Sequence, residues 1–501
     1  MRKNILTICL ALCFAMCALL GAASEEYIIA GFDPQDTYRD WETNKFFSRM
    51  EDRSGVFLSL RQFTDEKEWK KELKSYETAE ELPDALFKAE LSPAETIELY
   101  ESGVIIDLKP YLEENAPSLY KLLNENPRFM QEITLPDGAI AALPHIDFMP
   151  MQNCLWVNTD WLNKLGLDMP DDLQSFEEML IAFRDQDPNG NASADEIPLT
   201  FIGSYDLKYL SHAFGFIADD FNIYSENGKA YFAPQHENFR AFITWLNKLY
   251  KEKLIDNEGF TQADMLRRVT DAKTQKKYGV VITPIISQVL PNEWSGSYSV
   301  MPPLKYNDKQ IYRALASPVT TGTFAITSKC KDPKELLNWV DYLYTLDGAI
   351  LASEGVKDED YLVDGDGTWR KTQDAQTAMF LSDSVISTGA VPPGITSTEF
   401  QKNYFDKDVK HLTSQMELIN QYAVEAFPVI PLDFSKEKEI IPLQQAIGRA
   451  VDEQIARWVI GETPIDDESF EEFYSNLQEL GLDRFMNFWQ ESLDEREKLF
   501  K

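Results

Sequence analysis

Glu26-Tyr-Ile-Ile-Ala-Gly-Phe32 is a short run rich in β-branched and aromatic residues, of the length of a buried strand. Helical spacing follows from Trp41 to Asp52 and stops at Ser54-Gly55, where glycine permits the chain to leave a helix. A second apolar run, Val56-Phe-Leu-Ser-Leu-Arg61, comes next, then a helical pattern from Glu66 to Tyr76, then Leu82-Pro-Asp-Ala-Leu-Phe87. Strands alternating with helices predict an α/β architecture with a largely parallel sheet.

The pattern continues downstream. Trp161 to Phe183 is helical, interrupted by Pro170, with Asp171-Asp172 placed to cap a second helix. Ile197-Pro-Leu-Thr-Phe201, Tyr278-Gly-Val-Val-Ile282, Tyr298-Ser-Val-Met301 and Thr323-Phe-Ala-Ile-Thr327 read as strands. Asn238 to Tyr250, Pro333 to Tyr344, Gln444 to Ile460 and Phe470 to Phe500 carry apolar residues at helical spacing. Residues 364–400 lack that periodicity and are rich in Gly, Pro, Ser and Thr, which predicts a long surface or inter-domain segment.

Arg2 and Lys3 precede an apolar run, Ile5 to Leu20, and Gly21-Ala-Ala23 supplies small residues, so residues 1–23 read as a secretory signal cleaved before Ser24. Cys17 follows Phe14-Ala-Met16, a poor lipobox, so a secreted protein without a lipid anchor is expected. No later apolar run reaches membrane-spanning length. Losing two basic residues with the signal takes the net charge from −35 to −37, which argues against nucleic acid as a partner. Only Cys154 and Cys330 lie beyond the signal, so no disulfide framework is expected. The 478 remaining residues (501 − 23), in a chain that is 44% apolar, suffice for two or more packed cores.

Asp187-Pro-Asn-Gly-Asn-Ala-Ser-Ala-Asp-Glu196 crowds oxygen donors around a glycine. Asp187, Asn189, Asn191, the Ser193 carbonyl, Asp195 and Glu196 form a hard-oxygen set suited to Ca²⁺, which takes six to eight such ligands. An EF-hand register that starts at Asp185 and ends at Glu196 also fits, and the bland alternative is a solvated Asx-rich turn. One such loop in 501 residues predicts a structural staple, not a sensor.

Several segments together resemble the extracellular solute-binding proteins of ABC importers (family 1), in particular the lipoprotein-type binders related to alginate-binding proteins. They include Gly103-Val-Ile-Ile-Asp-Leu108 with Asn115-Ala-Pro117, Leu135-Pro-Asp-Gly-Ala-Ile-Ala-Ala-Leu-Pro144, and Leu155-Trp-Val-Asn-Thr-Asp-Trp-Leu-Asn-Lys-Leu-Gly-Leu167 ahead of the oxygen-rich loop. Tyr298 to Pro303, Phe324 to Lys329, Asp347-Gly-Ala349 with Glu354-Gly355, Val459-Ile-Gly-Glu462 and Leu480-Gly-Leu-Asp483 extend the likeness along the chain. The resemblance implies a two-lobe, periplasmic-binding-protein-like (type II) fold with the ligand, an oligosaccharide, in the cleft between lobes. It also implies delivery to an ABC permease, no enzymatic activity, a monomer, and the calcium register running from Asp187 to Glu196. By analogy, lobe 1 comprises residues 24–147 and 304–350, and lobe 2 residues 148–303 and 351–501. Crossings are then expected near His145 to Met151, near Pro302 to Lys305, and in the irregular stretch after Val319.

Sugars stack their C–H faces on aromatic rings and give their hydroxyls to polar groups. Trp156, Trp161, Trp245 and Trp339 sit at apolar-periodic positions and read as core. Trp41, Trp294 and Trp369 fall at element ends or in loops, which makes them candidate ligand residues. His145 and Asp147, at the first expected crossing, and Lys88, after the strand ending at Phe87, are the polar candidates, with Thr320-Thr321 as a further possibility. The chain lacks a Gly-x-Ser-x-Gly elbow, a His-Glu-x-x-His pair and a phosphate-binding glycine loop. Asp364-Gly-Asp-Gly367 reads as a turn. The readings that compete with solute binding are a polysaccharide hydrolase and a two-lobe module repurposed for signalling or surface interaction.

Overall fold

The computed structural model describes residues 26–261, 276–314, 317–396, 398–404 and 406–500; the expected signal, residues 1–23, lies outside them. Ten strands build two sheets: β1 (Glu26–Phe32), β2 (Phe57–Phe63), β3 (Ala85–Phe87), β4 (Leu143–Asp147), β5 (Cys154–Asn158), β6 (Ile197–Thr200), β7 (Tyr278–Thr283), β8 (Tyr298–Val300), β9 (Val319–Ile326) and β10 (Gly394–Thr396). The first sheet has the order β10-β4-β9-β3-β1-β2, the second β8-β5-β7-β6.

Helices cover both sheets, and local chemistry sets their ends. The Asn44 side chain accepts the Phe46 N–H at the start of Lys45–Ser54, and Gly55 closes that helix at φ 72°. Asp172 and Ser175 form a reciprocal capping box ahead of Leu173–Asp185. The Phe239–Lys251 helix buries Phe239, Phe242, Ile243, Leu246 and Leu249, each contributing about 1.5–3 kcal/mol of burial. Trp156, Trp161, Trp245 and Trp339 are core residues, as expected.

Four pairings are parallel (β1–β2, β1–β3, β4–β10, β6–β7) and four antiparallel (β3–β9, β4–β9, β5–β8, β5–β7), so the sheets are mixed and not largely parallel. The reason is connectivity: the chain leaves each lobe and re-enters it, and β9 returns to the first sheet running against its neighbours. β9 also bulges between Thr320 and Phe324. Gly322 sits there at φ 70°, where an added Cβ would lie 2.0 Å from the Leu91 carbonyl oxygen, so only glycine fits.

Among the described residues the two largest of five hydrophobic clusters lie one in each lobe, and a third, with Phe32, Trp69 and Leu86, covers the other face of the first sheet. Of the two largest, one gathers Ile29, Phe87, Leu143, Phe324 and Trp339; the other gathers Trp156, Phe183, Val280, Trp458 and Phe485. Residues 351–396, expected in lobe 2, pack with the first of these: Leu351, Ala352 and Ile386 join its core, and β10 pairs with β4. Leu304 and Tyr312, expected in lobe 1, pack in the second. The stretch 364–396 is therefore not an inter-domain segment, because Phe380, Val385 and Ile386 are buried within it and β10 pairs with β4, although Met379 and Leu381 stay exposed. The chain crosses between lobes at three places: from Asp147 to Cys154, from Arg313 to Val319, and from Thr396 to the Lys407–Asn420 helix. The crossing expected at Pro302 to Lys305 stays within lobe 2, where the Lys305 N–H donates to the Asp171 carbonyl at 2.8 Å.

Candidate functional site

Strand register shows which loops face the other lobe. β4 ends at the first crossing, opposite the start of β9 (Ile146 beside Val319) and level with the end of β10 (Asp147 beside Thr396). β1, β2 and β3 therefore also point their carboxyl ends towards lobe 2. In lobe 2 the amino end of β5 pairs with the carboxyl end of β7, and β6 and β8 end on the same side. The interlobe cleft is thus bordered mainly by carboxyl ends of strands, where open α/β sheets present ligand sites.

On the lobe 1 side a buried charge cluster underlies this border. Asp33 Oδ2 accepts from Arg39 Nη1 at 2.6 Å, Lys88 Nζ at 2.9 Å and Trp41 Nε1 at 3.0 Å. Arg39 also donates to the carbonyls of Leu381, Val385 and Thr388, and Lys88 to those of Ile386 and Thr388. Two cations, one carboxylate and a set of carbonyls thereby tie the loop after β1 to residues 381–388. Burial pushes the Lys88 ammonium down to about 7, Asp33 opposing this and Arg39 adding to it. Tyr38, next to Arg39 in the chain, is 86% exposed, on a backbone held at φ 52°.

The lobe 2 side presents the Gly203–Lys208 helix after β6 and the short pair formed by Tyr312–Arg313 with Ala423–Val424. Asn153, in the first crossing, donates to Asp206 Oδ1 at 3.0 Å and orients that helix. Tyr205 packs edge-on against Tyr209, and Arg313 lies over both rings while pairing with Asp220. Near the hinge, Arg128 pairs with Glu425 across the lobes at 2.9 Å, Ser317 donates to Glu132, and Arg496 donates to Gln131 at 2.7 Å. Burial raises the Glu132 carboxyl above its ordinary value, against the opposing pull of Ser317 and Arg128. Phe148 and Tyr205 expose 40% and Phe221 41%.

The six expected ligand residues divide by position. Asp147 lies at the cleft-facing end of β4, its Oδ1 accepting the Met149 N–H. Lys88 and Trp41 belong to the same border but are fully enclosed by the Asp33 cluster, so their part there is structural. Both His145 ring nitrogens are engaged, with the Pro392 carbonyl and the Thr396 hydroxyl, which makes it a tie between β4 and β10. Trp294 is at the other end of lobe 2: it packs with Lys276, just before the amino end of β7. Trp369 stacks on Tyr361 at 5.0 Å, so one face of its ring is taken. Tyr38, Phe148, Tyr205, Phe221 and Arg313 were not singled out by sequence. The available signal was a lone aromatic among polar residues just after a strand, as in Asp36-Thr-Tyr-Arg39 and Gly203-Ser-Tyr-Asp206.

The oxygen-rich loop precedes the amino end of β6, at the end of lobe 2 away from the cleft. Asp187 adopts φ 46°, its carboxylate accepting the N–H groups of Gly190, Asn191 and Ala192. Asn189 and Asn191 converge on Asp195. Asp185 is engaged by Arg184 at 2.7 Å, outside this set, which favours the register beginning at Asp187. Glu196 Oε1 is buried without a hydrogen-bond partner, and burial followed by the Asp195 and Asp187 charges raises its carboxyl. Among the described residues no three His, Cys, Asp or Glu side chains are gathered as a metal-binding group. The orphaned oxygen and the mutual repulsion nevertheless fit a site that a cation would complete.

No family model matches the chain. Over 320 residues, 61% of its length, it is 30% identical to the fructooligosaccharide ABC-transporter substrate-binding protein FusA of Streptococcus pneumoniae. It is 26% identical over 310 residues to lipoprotein LipO of Bacillus subtilis. In each case the match spans 58% of the relative's length. FusA in complex with kestose superposes with a TM-score of 0.65 at 23% identity, covering 95% of this chain and 100% of that one. An extracellular solute-binding protein from Bifidobacterium longum subsp. infantis gives a TM-score of 0.75 at 18% identity, covering 95% and 99%. The homologues are ABC-transporter substrate-binding proteins, and the fold is theirs: two α/β lobes around a cleft.

Proposed function

We propose, from homologues that serve ABC transporters, that this chain is an exported solute-binding protein that captures an oligosaccharide between its lobes and hands it to a permease without turning it over. One observation carries this reading: aromatic residues that stay exposed, Tyr38, Phe148 and Tyr205, follow the carboxyl ends of β1, β4 and β6, the strand ends that border the cleft. Ring faces left in water beside fixed polar groups match the alternating C–H faces and hydroxyls of a glycan, and closure about a hinge would bury both. The FusA structure with kestose supports the ligand class by kinship.

The Asp187 to Glu196 loop would hold a structural Ca²⁺ through Asp187, Asn189, Asn191, the Ser193 carbonyl, Asp195 and Glu196. Bound there, the cation would offset the repulsion among three carboxylates and fix the turn into β6. A solved FusA variant is described as an EF-hand mutant, which supports such a site in that relative. The protein would act outside the membrane as a monomer; no described helix is long and apolar enough to cross one.

Thermal unfolding and calorimetric titration of the full chain against kestose, nystose and other defined glycans test the reading. A ligand present at 100 times its Kd should stabilise the protein by about 2.7 kcal/mol, with no product on chromatography. Product formation would make it a hydrolase. Failure to bind any glycan would move it to the signalling or surface class.

A further inference from the structure

We infer that Tyr205, Arg313 and Asp220 form a subsite for one ring of a neutral oligosaccharide, uronates being excluded. This rests on the oligosaccharide reading and specifies its ligand class. Tyr205 lies on the helix after β6, at the cleft-facing end of lobe 2. Its ring is fixed from several sides: edge-on packing against Tyr209 at 5.7 Å, a hydroxyl–hydroxyl bond to Tyr209 at 3.2 Å, and the Arg313 guanidinium 5.8 Å from its centroid. Arg313 is itself held by Asp220 and by the backbone pairing of Tyr312–Arg313 with Ala423–Val424. A ring so restrained, yet 40% exposed, has already lost the freedom that stacking would cost.

The polar edge sets the class. Asp220 keeps 45% of its side chain exposed while Arg313 is 8% exposed, so a ligand meets the carboxylate and not the guanidinium. An ionised carboxylate only accepts hydrogen bonds and therefore suits hydroxyl donors. Asp219 beside it is turned inward to the Ile223 N–H, and Asp452 takes up Lys208 at 3.0 Å, so Asp220 is the acceptor that this loop leaves to a ligand. A glycan carboxylate here would meet like charge, whereas a neutral ring stacks on Tyr205 and donates hydroxyls to Asp220.

The test is calorimetric titration of the full chain with neutral fructo- and gluco-oligosaccharides and an oligouronate of matched length. The proteins are wild type, Tyr205→Ala, Tyr205→Phe, Asp220→Asn and, as a remote control, Trp294→Ala. Neutral ligands should bind wild type and Trp294→Ala alike. Tyr205→Ala should weaken them about tenfold with the melting temperature little changed, and Tyr205→Phe should restore most of the affinity. Asp220→Asn should narrow the gap between neutral and acidic ligands. If neutral glycans bind and Tyr205→Ala keeps affinity within about twofold, the subsite is wrong while the oligosaccharide reading stands. If wild type prefers the uronate, the neutral assignment falls. If no glycan binds at all, the parent reading falls with it.

Discussion

Lys88 shows how a residue can be placed correctly and its role misjudged. It follows β3 at φ 52°, at the strand end where ligand residues are expected, yet its ammonium is enclosed against Asp33, Ile386 and Thr388. Desolvation is the largest influence and lowers its folded pKa to about 7, below the roughly 10.4 of an unfolded lysine. Between those values the unfolded chain binds the extra proton, so this group makes stability rise as pH rises from about 7 towards 10. Below that window its unfavourable contribution is fully present. Lys88→Met removes the titration and leaves Asp33 with Arg39 and Trp41. Urea unfolding at pH 7 and pH 9 should show a smaller gain in stability with pH for the variant than for wild type. Equal gains would mean that Lys88 does not titrate in this window.

Among the elements, the loop before β6 depends most on what binds it. Its hydrogen bonds run from backbone N–H groups to Asp187 and from amides to Asp195, and none reaches Glu196 Oε1. A loop organised around acceptors should gain stability from a cation that ligates the native state alone. Chelation should therefore lower the melting temperature of wild type, and Asp195→Ala with Glu196→Ala should make it insensitive to chelator. A double variant that still responds to chelator would locate the cation elsewhere. The Asp172 capping box and the Gly55 helix end were equally legible, because such signals act within a few residues.

For the molecule as a whole, two lobes, each with a large hydrophobic cluster of its own and joined by three crossings, imply two cooperative units. Their direct ties include Arg128 with Glu425 and Arg496 with Gln131, and the Pro93–Glu101 helix meets the Phe434–Ile460 helix. Differential scanning calorimetry should resolve two transitions in the ligand-free protein. Chelator should lower only the one belonging to lobe 2, and Lys88→Met should change only that of lobe 1. A single transition displaced as a whole by either treatment would show that the lobes unfold together.

Sequence alone determined what local chemistry controls: the strand and helix segments, the core tryptophans and the oxygen-rich loop. The order of its weak motifs also pointed to the two-lobe family. Tertiary structure decided what depends on distant partners. Residues 351–396 return to lobe 1 because Ile386 and β10 find their partners there, a choice invisible in a stretch with little periodicity. Trp41 looked like a loop aromatic until Asp33 enclosed it, and Trp294 lies at the wrong end of its sheet because register, not composition, sets which end faces the cleft. Tyr205 became visible only when Arg313 and Asp220, each remote in sequence, met around it. Periodicity reports whether a side chain is inside or outside; which outside surface it shares, and with whom, is fixed by how the chain crosses between lobes.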